Sequence, residues 1–142
     1  MGGDAMIVKL SDYIFSPLGD GTETNYEAIR AGRSVLCRYE DKWGLPEPFV
    51  ASLFNEKALT EQLCAMPPER YTPFEQVLVH CIHGALESMQ HDGSFNPDSP
   101  NVVFILSTTK GNVFLLDRKN RTFPIERVLL GVAAQKVADY FG

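Results

Sequence analysis

The hydrophobic positions change their spacing several times along the chain, and each change predicts an element. Ile7-Val8 and Ile14-Phe15 bracket a mixed stretch that reads as a strand from Ile7 to Phe15, and the turn-forming residues of Ser16-Pro17-Leu18-Gly19-Asp20-Gly21 end it. Thr24-Asn25-Tyr26-Glu27 has capping-box spacing, so a short helix is expected from Asn25 to Ala31. Tyr26 and Ile29 fall on one side of it, and Gly32 suits its left-handed end. Trp43 to Pro48 marks a loop, Phe49 to Phe54 an extended apolar run, and Lys57 to Ala65 a helix that Pro67-Pro68 closes.

The clearest helix runs from Pro73 to about Gln90. Thr72 is its N-cap, Pro73 fits the first position and Glu75 completes a capping box. Phe74, Val77, Leu78, Cys81, Ala85, Leu86 and Met89 recur at intervals of three and four, which gives this helix an apolar face. His91 to Asn101 reads as a surface connection. Val102 to Leu106 is an unbroken apolar run rich in β-branched residues and predicts a strand covered on both faces. A second run, Val113 to Leu116, precedes the charged stretch Asp117 to Arg121. A last helix is expected from Pro124 to about Tyr140, with Ile125, Val128, Leu129, Val132, Ala133, Val137 and Tyr140 on one face. Leu130, Ala134 and Phe141 widen that face, and Gly131 permits close approach. Strand, helices, strand, helix is the order of an α/β fold with a mainly parallel sheet.

Composition narrows the class. The 142 residues are 44% hydrophobic and 22% charged, enough for one domain with its own core. Three cysteines argue against a complete disulfide framework and for a reducing, cytoplasmic setting. A net charge of −5 without a basic run disfavours nucleic acid. No apolar stretch approaches the ~20 residues of a membrane span, and Met1-Gly2-Gly3-Asp4 lacks the features of a signal peptide.

Candidate chemistry is sparse. His80, His83 and Glu87 lie at i, i+3 and i+7 of one helix and could face an ion, but Cys81 points into the apolar stripe, so a polar helix flank is the stronger reading. Cys37, Cys64 and Cys81 form no C-x-x-C pair, none begins a helix, and all three read as small buried hydrophobes. Ser107-Thr108-Thr109-Lys110-Gly111 ends a predicted strand, where α/β ligands gather, yet it lacks the phosphate-loop order of glycines, lysine and hydroxyl. A turn with hydroxyls and a solvated lysine is favoured. Asp12, Asp20, Glu23 and Glu27 make no acid/base couple by spacing. No catalytic, cofactor-binding or metal-ligating residue is therefore expected, and no cofactor.

Ile14-Phe15-Ser16-Pro17-Leu18-Gly19, followed by Thr22, Asn25, Ala28, Ile29, Ala31-Gly32 and Ser34, resembles the N-terminal segment of β-ketoacyl-acyl-carrier-protein synthases. In pattern, the helix from Pro73, the run Val102 to Ser107 and the helix from Pro124 to Phe141 are similar to that family's succeeding elements. The resemblance implies a thiolase-like fold, here an incomplete N-terminal half with a mainly parallel sheet and packed helices. It also implies decarboxylative Claisen condensation in fatty-acid or polyketide synthesis, with acyl carrier protein or acyl-CoA thioesters as partners and a homo-oligomeric parent. The family's nucleophilic cysteine follows the strand after the helix that matches Pro124 to Phe141. Cys37, Cys64 and Cys81 match none of its catalytic positions, and His80, His83 and His91 lie too early to match its histidines. Where many members are rich in glycine, this chain has Ser107-Thr108-Thr109-Lys110-Gly111-Asn112.

The expectation is then a single ketosynthase-like domain over residues 1–142, truncated before the catalytic cysteine segment and inactive alone. It should self-associate through an unpaired sheet edge and uncovered helix faces. A non-catalytic partner subunit resembling a chain-length factor, or a binding domain, is the alternative. A standalone α/β domain is a third.

Overall fold

The computed structural model describes residues 7–63, 65–89, 96 and 99–142. Among the described residues the fold consists of two short antiparallel hairpins and four helices. β1 (Phe15–Ser16) pairs with β2 (Gly19–Asp20), and β3 (Cys37–Tyr39) pairs with β4 (Phe49–Ala51). The helices are α1 (Thr22–Arg30), α2 (Glu56–Gln62), α3 (Pro73–Met89) and α4 (Leu130–Phe141), with short 3₁₀ turns at Lys42–Gly44, Val113–Leu116, Arg118–Asn120 and Ile125–Val128.

This architecture overturns the expectation of a thiolase-like half with a mainly parallel sheet. Among the described residues no parallel pair exists, and both ladders join strands close in sequence. The expected strand from Ile7 to Phe15 is reduced to Phe15–Ser16. Val102 to Leu106 forms no strand, and Val103 and Ile105 are 76% and 82% exposed. β-branched side chains favour an extended backbone, but a strand also needs a neighbour to accept and donate its hydrogen bonds. No described segment lies beside this run as that neighbour.

α1 begins one turn earlier than its capping pattern predicts. Thr24 lies inside the helix, so no capping box forms there. Instead Asn25 turns inward, and its Nδ2 donates to the carbonyls of Gly19 and Gly21 at 2.8 Å each and of Ile14 at 3.1 Å. Ser16 Oγ donates to Asn25 Oδ1. One buried amide thereby fastens the β1–β2 turn to α1. Asn25 and Ala28 are the buried residues of this helix, whereas Tyr26 and Ile29, on one side of it by spacing, are exposed. At the other end Gly32 takes φ +67, and the bonds Arg33 N to Ala28 O and Gly32 N to Ile29 O complete a Schellman closure.

α3 starts as its sequence predicts. Glu75 N donates to Thr72 Oγ1 at 3.3 Å, and Thr72 N donates to Glu75 Oε2 at 2.9 Å. Its most buried residues are Glu75, Gln76 and Val79, not the predicted stripe through Phe74 and Val77. Met66, Val79 and Val137 form the apolar centre, with Tyr71, Leu78, Ile82 and Phe141 packed around it. Each such side chain contributes about 1.5–3 kcal/mol when fully buried, so α3 and α4 hold each other through a small core.

The helix expected from Pro124 is divided. Ile125–Val128 is a 3₁₀ turn, Leu129 is extended at φ −68 and ψ 123, and α4 begins at Leu130. Ala133 and Val137 are its buried residues, and Leu129, just before it, remains 61% exposed. Close approach occurs at Gly111 instead of Gly131. A Cβ on Gly111 would stand 2.6 Å from Leu130 Cδ2, whereas one on Gly131 would meet nothing within 4 Å. No helix among the described residues is long and apolar enough to cross a membrane.

Candidate functional site around Asp20 and His80

Asp20 ends the first hairpin and His80 lies midway along α3. His80 Nε2 donates to Asp20 Oδ1 at 2.8 Å and lies 3.0 Å from Oδ2. Tyr13 Oη donates to the same Oδ1 at 2.6 Å. The imidazole is also enclosed by two rings, Tyr13 edge-on at 5.8 Å and Phe15 at 4.8 Å between centroids. Burial first, and then the hydrogen bond to Asp20 and its charge, push the Tyr13 hydroxyl above its ordinary pKa. Tyr13 therefore stays a donor to Asp20, whose Oδ1 is shared with His80.

This geometry depends on Gly84. A Cβ there would fall 2.1 Å from Tyr13 Cε2, so the bare backbone of α3 is what lets the Tyr13 ring approach the helix. Ser11 Oγ extends the seam by donating to the Ala85 carbonyl at 2.7 Å.

His80 also lines a cleft of about 320 Å³, together with Met66, Val79, His83, Glu87 and Tyr140. His83 faces a different partner, with its Nε2 3.1 Å from Tyr140 Oη and its ring 5.1 Å from Phe141. The two histidines and Glu87 are thus not brought onto one ion, and no cluster of three His, Cys, Asp or Glu side chains suited to a metal occurs among the described residues. Two wider clefts are apolar. One of about 620 Å³ lies among Leu59, Leu63, Met66, Tyr71, Phe114 and Phe123. The other, about 530 Å³, lies among Ile82, Leu86, Val102, Phe104, Val137 and Phe141.

The remaining candidates are dispersed. Cys81 is half-buried, and burial, followed by the Asp20 charge, raises its thiol pKa, which opposes thiolate formation. Cys37, expected to be buried, is exposed on β3. Cys64 and His91 lie outside the described residues. Asp12 is exposed, and its pKa is lowered by hydrogen bonds from Lys9 and then Thr22. Glu27 pairs with Arg30 at 3.4 Å, and Glu23 is an exposed residue of the first turn of α1. Of the four acids singled out in sequence, only Asp20 gains a histidine.

In the Ser107 to Asn112 stretch, Thr109 and Lys110 are exposed, whereas Asn112 is fully buried. Asn112 is the residue that sequence reasoning missed. Its Oδ1 accepts from Thr72 Oγ1 at 2.6 Å, and its Nδ2 donates to Arg127 O at 2.9 Å and to Glu75 Oε1 at 3.2 Å. Arg127 Nη2 pairs with Glu75 Oε2 at 3.4 Å, while its Nη1 donates to Arg70 O at 2.9 Å. This buried network joins the start of α3 to the segment before α4. Its charges satisfy one another, and that is the chemistry of a structural tie.

The Asp20–His80 pair could position a proton at the cleft wall. The hydrogen bonds of His80 go to Asp20, and among the described residues it bonds no serine or cysteine. Compared with models of protein families, with curated proteins and with solved structures, the chain matches none.

Proposed function

We propose that this chain is the N-terminal segment of a 3-oxoacyl-acyl-carrier-protein synthase, contributing scaffold and binding surface and not the nucleophile. The parent enzyme is an acyltransferase that joins acyl and malonyl thioesters by decarboxylative Claisen condensation. The family is named by the resemblance from Ile14 to Ser34 alone, and the observation that supports a further covering surface is the run Val102, Val103, Phe104 and Ile105, four large apolar side chains left 39–82% exposed in succession. Apolar surface of this kind is stabilised by being covered, at about 25 cal/mol per Å², and marks a place where more polypeptide belongs.

The segment that carries the resemblance gives local support. Ser16 and Gly19 hold Asn25, Asn25 and Ala28 are the buried residues of α1, and Gly32 caps the helix. The motif thus forms one cooperating unit, not a scatter of matching letters. The raised thiol pKa of Cys81 agrees with a segment that does not supply the nucleophile.

The test is an assay of the purified chain with acyl and malonyl thioesters of acyl carrier protein. The proposal expects no ketoacyl product from the chain alone, and product when the chain is expressed in one polypeptide with the remainder of its enzyme. Product from the chain alone overturns the proposal. A remainder carrying another residue in place of the nucleophilic cysteine would favour the non-catalytic partner subunit.

A further inference from the structure

We propose that two copies of this chain pair through the outer edge of β3, antiparallel, about a two-fold axis at Tyr39. β3 and β4 form a two-stranded sheet, so among the described residues the far edge of β3 has no strand beside it. Arg38 and Glu40 flank Tyr39, lie 3.1 Å apart and expose 64% and 66% of their side chains. Antiparallel pairing centred on Tyr39 sets each Arg38 opposite the Glu40 of the other copy. One charge pair becomes two cross-strand pairs, and the same patch serves both partners, as an isologous contact requires.

The opposite face of the strand fits the same register. Tyr39 pairs with Phe49 across the hairpin and stacks on it at 5.5 Å, and Trp43 stacks on Phe49 at 5.6 Å. The two-fold axis sets Tyr39 against Tyr39 of the second copy and so continues the aromatic row across the junction. Other two-fold registers fit worse. Centring on Arg38 opposes like charges, and centring on Cys37 places Arg38 against Leu36 and Tyr39 against Val35. The pairing is short because Asp41 turns left-handed at φ 53 and ends the strand, so a weak, concentration-dependent dimer is expected. This proposal does not rest on the enzymatic reading.

Sedimentation across a concentration series tests it. The native chain should dimerise. Arg38→Glu and Glu40→Arg should each weaken the dimer roughly tenfold, because each opposes like charges at both symmetry-related contacts. Arg38→Glu with Glu40→Arg in one chain should restore it, and an equimolar mixture of the two single variants should form a heterodimer. A native chain that stays monomeric at the highest attainable concentration overturns the proposal, and so does a dimer that both single reversals leave unchanged. Cys37 of the two copies would stand about 14 Å apart along the strands in this register. A ready disulfide between them under mild oxidation would establish the Cys37-centred register and overturn this one.

Discussion

His80 Nε2 lies 2.8 Å from Asp20 Oδ1, a contact between residues 60 positions apart that fastens the first hairpin to the middle of α3. A hydrogen bond to a charged group contributes about 1.5–3 kcal/mol. His80→Ala should lower stability by about that amount in urea unfolding and speed amide exchange in residues 14–21 more than in α4. Asp20→Asn keeps an acceptor for Tyr13 and should cost less. Unchanged exchange in the hairpin of His80→Ala would show that the contact does not hold it.

Tyr13 can lie on α3 only because position 84 has no side chain. Gly84→Ala should therefore destabilise by about 1–3 kcal/mol despite the better helix propensity of alanine. Gly131→Ala, with open space around it, should be neutral or stabilise by up to about 1 kcal/mol. Thermal unfolding of the two variants separates steric approach from propensity. Equal shifts of the same sign would contradict the placement of Tyr13.

The Tyr13 hydroxyl also predicts the direction of a pH dependence. Its folded pKa is raised above the ordinary 10.0. Below pH 10 it is protonated in both folded and unfolded chains, and its contribution is fully present. As pH rises above 10 the unfolded chain ionises first, so stability falls toward the folded pKa. Urea midpoints measured on both sides of pH 10 should show this fall, and Tyr13→Phe should flatten it.

Glu75 and Arg127 sit in the buried network with Asn112 and Thr72. Removing one partner leaves the other charge uncompensated, and Glu75→Ala should cost about 3–5 kcal/mol. Asn112→Ala leaves the Thr72 hydroxyl and a Glu75 oxygen short of a partner and should cost about 1–3 kcal/mol. Circular dichroism during denaturation measures both. A Glu75→Ala loss smaller than that of Asn112→Ala would contradict the ion pair's role.

Some local chemistry was legible in the sequence, though the Thr24–Glu27 capping box was not borne out, and distant chemistry was not legible. Thr72, Pro73 and Glu75 announce the start of α3 because cap and helix are neighbours, and Gly32 announces the end of α1 for the same reason. Val102 to Leu106 has the composition of a strand, but composition does not supply a partner. β3 was missed because Cys37-Arg38-Tyr39 is too short and mixed to show a period. Asn112 reads as an ordinary polar residue, and Asn25 as the start of a helix and part of a motif, with no sign of its buried contacts. Their importance comes from carbonyls and hydroxyls delivered by other segments, 40 positions away for Thr72 and Asn112. The Asp20–His80 pair is hidden in the same way: neither residue carries a local mark of the other.

The proposal that this chain comes from a condensing enzyme rests on resemblance and remains the reading to test. Sequencing the intact transcript that encodes the chain tests it most directly. The proposal predicts a reading frame that continues beyond Gly142 through another strand to a cysteine at the position that the resemblance implies for the nucleophile. A stop codon immediately after Gly142 would contradict it.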